Sequence, residues 1–340
     1  MNEVSLPEGD TAELSKYLVS KLGGEVAVEP APRVMARGLR TDVYAFGLTG
    51  RGLSEAWSGP LVLRLMPADI PAAAIEREAE VHRFLRYAGY PTPELLAVET
   101  SRGVLGRPFT IMERAPGVTM SRRLMSRNLF RTHALATAFA DAHVKLHRLP
   151  VERFPSQSGG SSVERQLRSH RGWLGSEPEA AEWFEWLDAR KSFVVPEHES
   201  VCHYNFHPGN TIVDDMGALR VVDWSTAYIG DYHSDVADAI VFIRTEPIRE
   251  SSQVRSLFRQ IGRRLFVRQY LRRYNSQLAL DPQRLRYWEA LRAIVWIGNM
   301  RALLPMALAR YDSGSETFER QEAALEQYCR KRMAEFDAAL

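Results

Sequence analysis

At 340 residues, with 44 basic and 42 acidic side chains and a formal net charge of +2, the chain has room for one large domain or two modest ones and shows no global bias toward nucleic acid. Two cysteines, Cys202 and Cys329, are too few and too far apart for a disulfide framework or a paired zinc site, so a reducing compartment is expected. The opening MNEVSLPEGDTAEL lacks the apolar stretch of a secretory signal, and no run reaches the ~20 apolar residues that span a bilayer; a cytoplasmic protein without a membrane partner is predicted.

From Thr11 to Leu22 the apolar residues Leu14, Tyr17, Leu18 and Leu22 fall at helical spacing, and Gly23-Gly24 stops the helix. The period then changes. VAVEPAPRVMARG, TDVYAFGLTG and PLVLRLMP read as strands of an antiparallel meander, punctuated by Gly38, Gly50, Gly52 and Gly59. Helical spacing returns from Ala72 to Ala88, with Gly89 at its end, followed by the strand candidates ELLAVET and RPFTIMERA. Beyond Gly117 helical periodicity dominates, interrupted by the polar stretch Pro155 to Ser162 and by strand-like segments at Thr211-Val213 and Leu219-Val222. Strands first and helices afterwards predict an α+β chain of two lobes: an antiparallel-sheet N-lobe over 1–114 and a mainly helical C-lobe over 115–340. The hinge falls at Glu113 to Gly117.

The segment richest in chemistry is His203-Tyr204-Asn205-Phe206-His207-Pro208-Gly209-Asn210, followed after a short hairpin by Val221-Val222-Asp223-Trp224. A kinase catalytic loop places a carboxylate near the acceptor hydroxyl, an Asn five residues later on the metal, and a second Asp beyond the next hairpin on the same Mg²⁺ cluster. Asn210 and Asp223 stand at those two metal positions, and Asp214-Asp215-Met216-Gly217 supplies the turn between them. Each residue alone has a plainer reading, Asp223 capping a turn and Asn210 bonding a loop backbone; their joint spacing favours metal binding.

The chain resembles the aminoglycoside phosphotransferase and choline kinase-like superfamily. That signature reads approximately H-G-D-x-H-P-x-N, I-D-W-E, G-D and D-L-A, and HYNFHPGN, VDWS, Gly230-Asp231 and Asp235-Val236-Ala237 follow in the same order. LVLRL, REAEVHRFL, FTIMERAPG and FADAHVKLHRLP are similar to the family's third strand, Glu-bearing helix, hinge and the helix preceding the catalytic segment. The resemblance implies a two-lobed protein-kinase-like fold and phosphoryl transfer from Mg²⁺-bound ATP or GTP to a hydroxyl of a small molecule such as an antibiotic, sugar or nucleoside. Arg64, in place of the usual Lys, would meet the triphosphate and pair with Glu78, with Glu76 and Glu80 as alternatives on the same helix. Amides around Gly38 would cover the phosphates, and backbone groups of Met112, Glu113 and Arg114 would meet the adenine edge. His203 and His207 read as packed residues, and Asp231 and Asp235 as a helix cap and a loop brace.

One departure is central: Asn205 occupies the catalytic-base position, and an amide cannot accept the hydroxyl proton at neutral pH. Three readings compete: a nucleotide-binding pseudokinase or scaffold, transfer by orientation and Mg²⁺ alone, or an Asp→Asn inactivated form, the last favoured by intact neighbours. The acceptor is not legible. Arg259 to Arg273 contains six arginines and no acid, which disfavours a polycationic acceptor and reads as an amphipathic helix with a solvated basic face. The acidic segment Glu177 to Asp188 points the other way. A nucleic-acid-binding module is the rival from another class, weakened by the near-neutral charge.

Overall fold

The computed structural model describes residues 5–37, 41–125, 128–155, 162–174, 178–196, 198–247, 252–310 and 316–340. Gly38, Glu177 and most of the polar stretch 155–162 lie outside the described residues. The chain divides into two compact units, Met1–Pro116 with Arg220–Ser225, and Gly117–Leu219 with Thr226–Leu340.

The first unit opens with α1 (Glu8–Leu22), which buries Leu14 and Leu18 and ends at Gly23, whose φ of 74° suits a residue without Cβ. There follow β1 (Val26–Val28), β2 (Arg33–Arg37), β3 (Asp42–Phe46), β4 (Leu48–Gly50), the short α2 (Glu55–Ser58), β5 (Leu61–Leu65), α3 (Ala72–Tyr87), β6 (Leu95–Glu99) and β7 (Phe109–Glu113). Five strands form an antiparallel sheet in the order β2-β3-β5-β7-β6, and β1 pairs separately with β4. Period two decides the faces of β5: Leu61, Leu63 and Leu65 are buried, which turns Arg64 to the other face. Each such apolar side chain contributes roughly 1.5–3 kcal/mol on burial. The inward stripe of α3 is Ile75, Glu78, Ala79, His82 and Leu85, so a carboxylate sits on the buried side of an otherwise apolar face.

The second unit comprises β8 (Val118–Thr119), α4 (Met120–Leu124), α5 (Leu129–His147), α6 (Ser162–Leu174), α7 (Pro178–Arg190) with a 3₁₀ turn (Lys191–Val194), β9 (Ser200–Cys202) and β10 (Thr211–Val213). After β11 (Leu219–Val221), which leads into the stretch grouped with the first unit, it continues with β12 (Tyr228–Gly230), α8 (Tyr232–Thr245), α9 (Gln253–Asn275), α10 (Pro282–Arg310) and α11 (Glu316–Asp337). A core in it joins α6, α7, α10 and α11 through Leu167, Trp183, Leu187, Trp288, Ile294 and Phe336. Trp183 and Trp288 are core residues, as the composition of their helices favours. Strands β9 and β12, paired antiparallel, were not expected; three residues each, with β9 buried throughout and β12 half-buried, they show no alternation a sequence reading could find.

Strand β8 pairs with β10, and Gly117, at the entrance to β8, adopts φ +104° with Val213 O only 2.1 Å from where a Cβ would lie. Both the conformation and the contact require glycine. Gly117→Ala is therefore expected to lower unfolding stability by about 2–4 kcal/mol in urea titrations.

Candidate active site

In the first unit one guanidinium ties together segments far apart in sequence. Arg64 Nη1 donates to Glu78 Oε1, and Nη2 donates to Asp223 Oδ1 at 3.0 Å. Of the three acidic residues considered on α3, Glu78 faces Arg64, while Glu76 and Glu80 are exposed. Burial works against the Arg64 charge, and the carboxylates of Glu78 and Asp223 override it, raising its pKa above the ordinary value. Burial also pushes the Glu78 carboxyl up, with Arg64 pulling it back. The guanidinium itself stays charged, having no accessible neutral form near neutral pH. Asp223 adopts φ +66°, and Ser225 Oγ donates to its Oδ1 at 3.0 Å. Two neighbouring contacts hold this segment in the first unit: Val221 N–H donates to Pro91 O at 2.8 Å, and Trp224 Nε1–H donates to Thr92 Oγ1 at 3.0 Å.

Met112 and Glu113 end β7, and Arg114 follows it. Met112 is buried, the Glu113 amide donates to Glu94 O and the Arg114 amide to Pro60 O, each at 2.9 Å. Those two amides are spent, so at those two positions a purine edge could be met only through carbonyl oxygens.

The loop at 203–210 belongs to the second unit and hangs on one buried carboxylate. Asp235, in the first turn of α8, accepts from His203 N–H at 2.6 Å and Tyr204 N–H at 2.7 Å. Its Oδ2 lies 3.1 Å from Nε2 of both His143 and His147 on α5, whose Nδ1 atoms meet the hydroxyls of Tyr270 and Tyr274 on α9 at 2.8 and 2.5 Å. These His and Asp atoms lie within 4.8 Å of one another, near enough for a metal ion. The hydrogen bonds are nonetheless complete without one: each imidazole donates Nε2–H to the carboxylate and accepts at Nδ1 from a tyrosine. Burial drives the His143 imidazole down to about 3, so it is neutral at physiological pH, while burial's upward pull on Asp235 is outweighed by its hydrogen bonds to the two histidines, which keep it well below the usual carboxylate range. Asp231 caps α8, accepting from His233 N–H at 2.9 Å, and is also held by Arg284 and Trp288.

Within the loop Asn210 Nδ2 donates to Asn205 O at 3.0 Å, a bond that does not engage its Oδ1. His207 stacks on Phe242 at 4.0 Å, and the fully buried His203 packs edge-on to Phe206. Sequence reasoning passed over Tyr204, although the signal was present: the family pattern has Gly there. Tyr204 adopts φ +55°, a conformation that costs a bulky residue about 1–2 kcal/mol. A built pocket offsets that. The ring stacks on Tyr228 at 4.1 Å, the Arg292 guanidinium lies 5.3 Å from its centroid, and its hydroxyl accepts from Ser234 Oγ at 2.7 Å and Gln166 Nε2 at 3.2 Å. Arg292 is fixed in turn by Asp238 and Gln166. A recess of about 420 Å³ on this unit, lined by Glu164, Arg168, Arg171, Asp188 and Lys191 among others, contains none of the loop residues.

The profile of the phosphotransferase enzyme family, APH, matches residues 33–294. The chain belongs to that family. Among its similar proteins, mouse acyl-CoA dehydrogenase family member 10 (Mus musculus) is 28% identical over 240 residues, 66% of this chain but 21% of the relative, so the chain spans only that share of its length. Two solved mutants of aminoglycoside phosphotransferase APH(4)-Ia, an apo form and a ternary complex with ADP and hygromycin B, each give a TM-score of 0.64 at 17% and 18% identity, covering 92% of this chain and 98% of theirs. Amicoumacin kinase hAmiN, solved with AMP-PNP, Ca²⁺ and Ami, gives 0.61 at 14% identity, covering 94% of this chain and 93% of its own. A choline/ethanolamine kinase family protein from Mesorhizobium loti gives 0.58 at 18%, covering 96% and 97%. At these identities the likeness shows the fold: α+β and kinase-like, with an antiparallel sheet and a mainly helical part.

The buried histidine gives this family member a signature in acid. Folded His143 titrates near 3 and an unfolded histidine near 6.5, so below about pH 6.5 the unfolded chain binds a proton the folded one refuses. Stability from this group is complete above that pH and falls by about 1.4 kcal/mol per unit toward pH 3. Urea unfolding at successive pH values should show a shallower slope in His143→Phe than in the parent; identical slopes would refute the assignment.

Proposed function

We propose that the chain is an ATP- or GTP-dependent phosphotransferase that acts on a hydroxyl of a small molecule, with Asn205 orienting that hydroxyl. The observation that carries this reading is the Arg64 fork: a buried cation on β5, held by Glu78 and Asp223, matches the phosphate-handling arrangement of kinases. Family membership supports the same chemistry. Arg64 would bind the triphosphate as a planar fork with two anchoring carboxylates, a geometry a lysine ammonium cannot reproduce. Asp223 offers a carboxylate oxygen and Asn210 an amide oxygen, each a hard donor of the type Mg²⁺ takes. When bound, the ion would neutralise charge on the transferring phosphoryl group. Because Asp223 is engaged by Arg64, that guanidinium would exchange its carboxylate partner for phosphate oxygens as nucleotide arrives.

The Asn205 amide can donate to or accept from a hydroxyl but cannot remove its proton. Phosphoryl transfer relies mainly on positioning and electrostatics, which leaves room for slow turnover without a base. The Tyr204 pocket favours a native loop over an inactivating Asp→Asn change: two adjacent positions depart from the family pattern, and the first is served by Gln166, Ser234, Tyr228 and Arg292. The second reading, a nucleotide-binding pseudokinase, draws on the same observation.

Calorimetry with Mg²⁺·ATP and Mg²⁺·GTP should give saturable binding that Asp223→Ala abolishes in a folded protein; unchanged affinity would remove Asp223 from the site. Asn205→Asp should leave nucleotide affinity within about twofold and raise single-turnover transfer to a bound acceptor by ~10²–10⁴-fold, the usual contribution of a general base. An Asp variant inactive on every acceptor that binds would favour the pseudokinase.

A further inference from the structure

The basic helix α9 carries a feature that phosphoryl transfer does not use. Its inner face is apolar and buried through Phe266, Val267, Tyr270 and Tyr274. At ~100° per residue, Val254, Leu257, Phe258, Ile261 and Leu265 fall on the opposite side and form a second apolar stripe. That stripe faces solvent: Val254 is 63% exposed, Leu257 57% and Phe258 50%. Helix α5 extends it. His143 meets Tyr270 and His147 meets Tyr274 at the same separation of 127 positions, so the two helices run parallel and in register. That offset sets Phe130, 91% exposed, level with Leu257. The 23 residues of α9 contain no Asp or Glu, and the exposed Arg264, Arg268 and Arg272 continue and flank the stripe.

We infer that this face of α9, with Phe130, docks onto an anionic lipid surface. An outward helical ridge of large apolar side chains bordered by guanidinium groups suits the boundary of acyl chains and acidic headgroups, where the apolar groups insert and the arginines meet phosphate. Charge decides between occupants. A second copy packed face to face would bring acid-free, arginine-rich stripes together without compensation, whereas an anionic bilayer supplies the missing charge over the whole ridge. No described helix is long and apolar enough to cross a membrane, so the contact is peripheral. It departs from the sequence expectation of no membrane partner, which considered only spanning segments and signals.

The test is co-sedimentation of the full chain with phosphatidylcholine vesicles, with and without phosphatidylglycerol, at low and moderate salt. Binding is expected only with phosphatidylglycerol and should weaken with salt. Phe258→Asp, at an exposed position, should lower it by at least roughly tenfold, and Arg264→Glu with Arg268→Glu by a comparable factor, at about one kcal/mol (roughly fivefold) per arginine removed. Circular dichroism melts of the variants should match the parent. Absence of binding to anionic vesicles at low salt would overturn the inference. Concentration-dependent self-association lost in Phe258→Asp without vesicle binding would replace it with a second copy of the chain. Retention on polyglutamate without vesicle binding would replace it with an acidic protein.

Discussion

The loop at 203–210 of the second unit is organised around one buried anion. Asp235 has no contact with solvent, and it remains charged because the amides of His203 and Tyr204 and the imidazoles of His143 and His147 converge on its two oxygens. A carboxylate withdrawn from water is tolerable only with such compensation, and removing one partner leaves the rest of the penalty in place. The consequence reaches the loop at 203–210 directly. With the amides of 203 and 204 fixed on α8, the chain must leave β9 along one path, and Asn205 is the next residue on it.

That path explains how a tyrosine can occupy a glycine position. The left-handed turn at Tyr204 is imposed by Asp235, and the ring it projects needs a cavity with hydrogen-bond donors. Helix α8 supplies Ser234 one residue before the brace and Asp238 three after it, while α6 and α10 contribute Gln166 and Arg292. The brace and part of the pocket thus share one helix. Such dedicated construction is what a native feature of the loop requires and what an isolated substitution would lack.

Arg64 solves a comparable problem in the first unit. A lysine at this position would have to serve both carboxylates from one nitrogen, whereas a guanidinium offers separate nitrogens to Glu78 and Asp223. The alternation of β5 sets this side chain on the face opposite Leu61, Leu63 and Leu65, and the inward stripe of α3 brings Glu78 to meet it. The acidic residue on the buried face of α3 is therefore partnered, the condition under which burying it is affordable.

Much of this was legible in the residues alone. Period two in LVLRL, the 3.6 spacing of α3 and the turn chemistry at Asp214 to Gly217 specified the α+β class, because local periodicity and spacing are written in the chain itself, and the order of HYNFHPGN, VDWS and DVA carried the family resemblance. Other features depended on contacts between residues well separated in the chain. Pairing of Arg64 with Asp223, convergence of His143, His147 and Asp235, and the strands β9 and β12 have no local signature. The same limit applied to α9. Its sequence announced an amphipathic basic helix, but two of its faces are apolar, and only packing against α5 decided that Phe266, Tyr270 and Tyr274 turn inward while Val254, Leu257 and Phe258 remain in water.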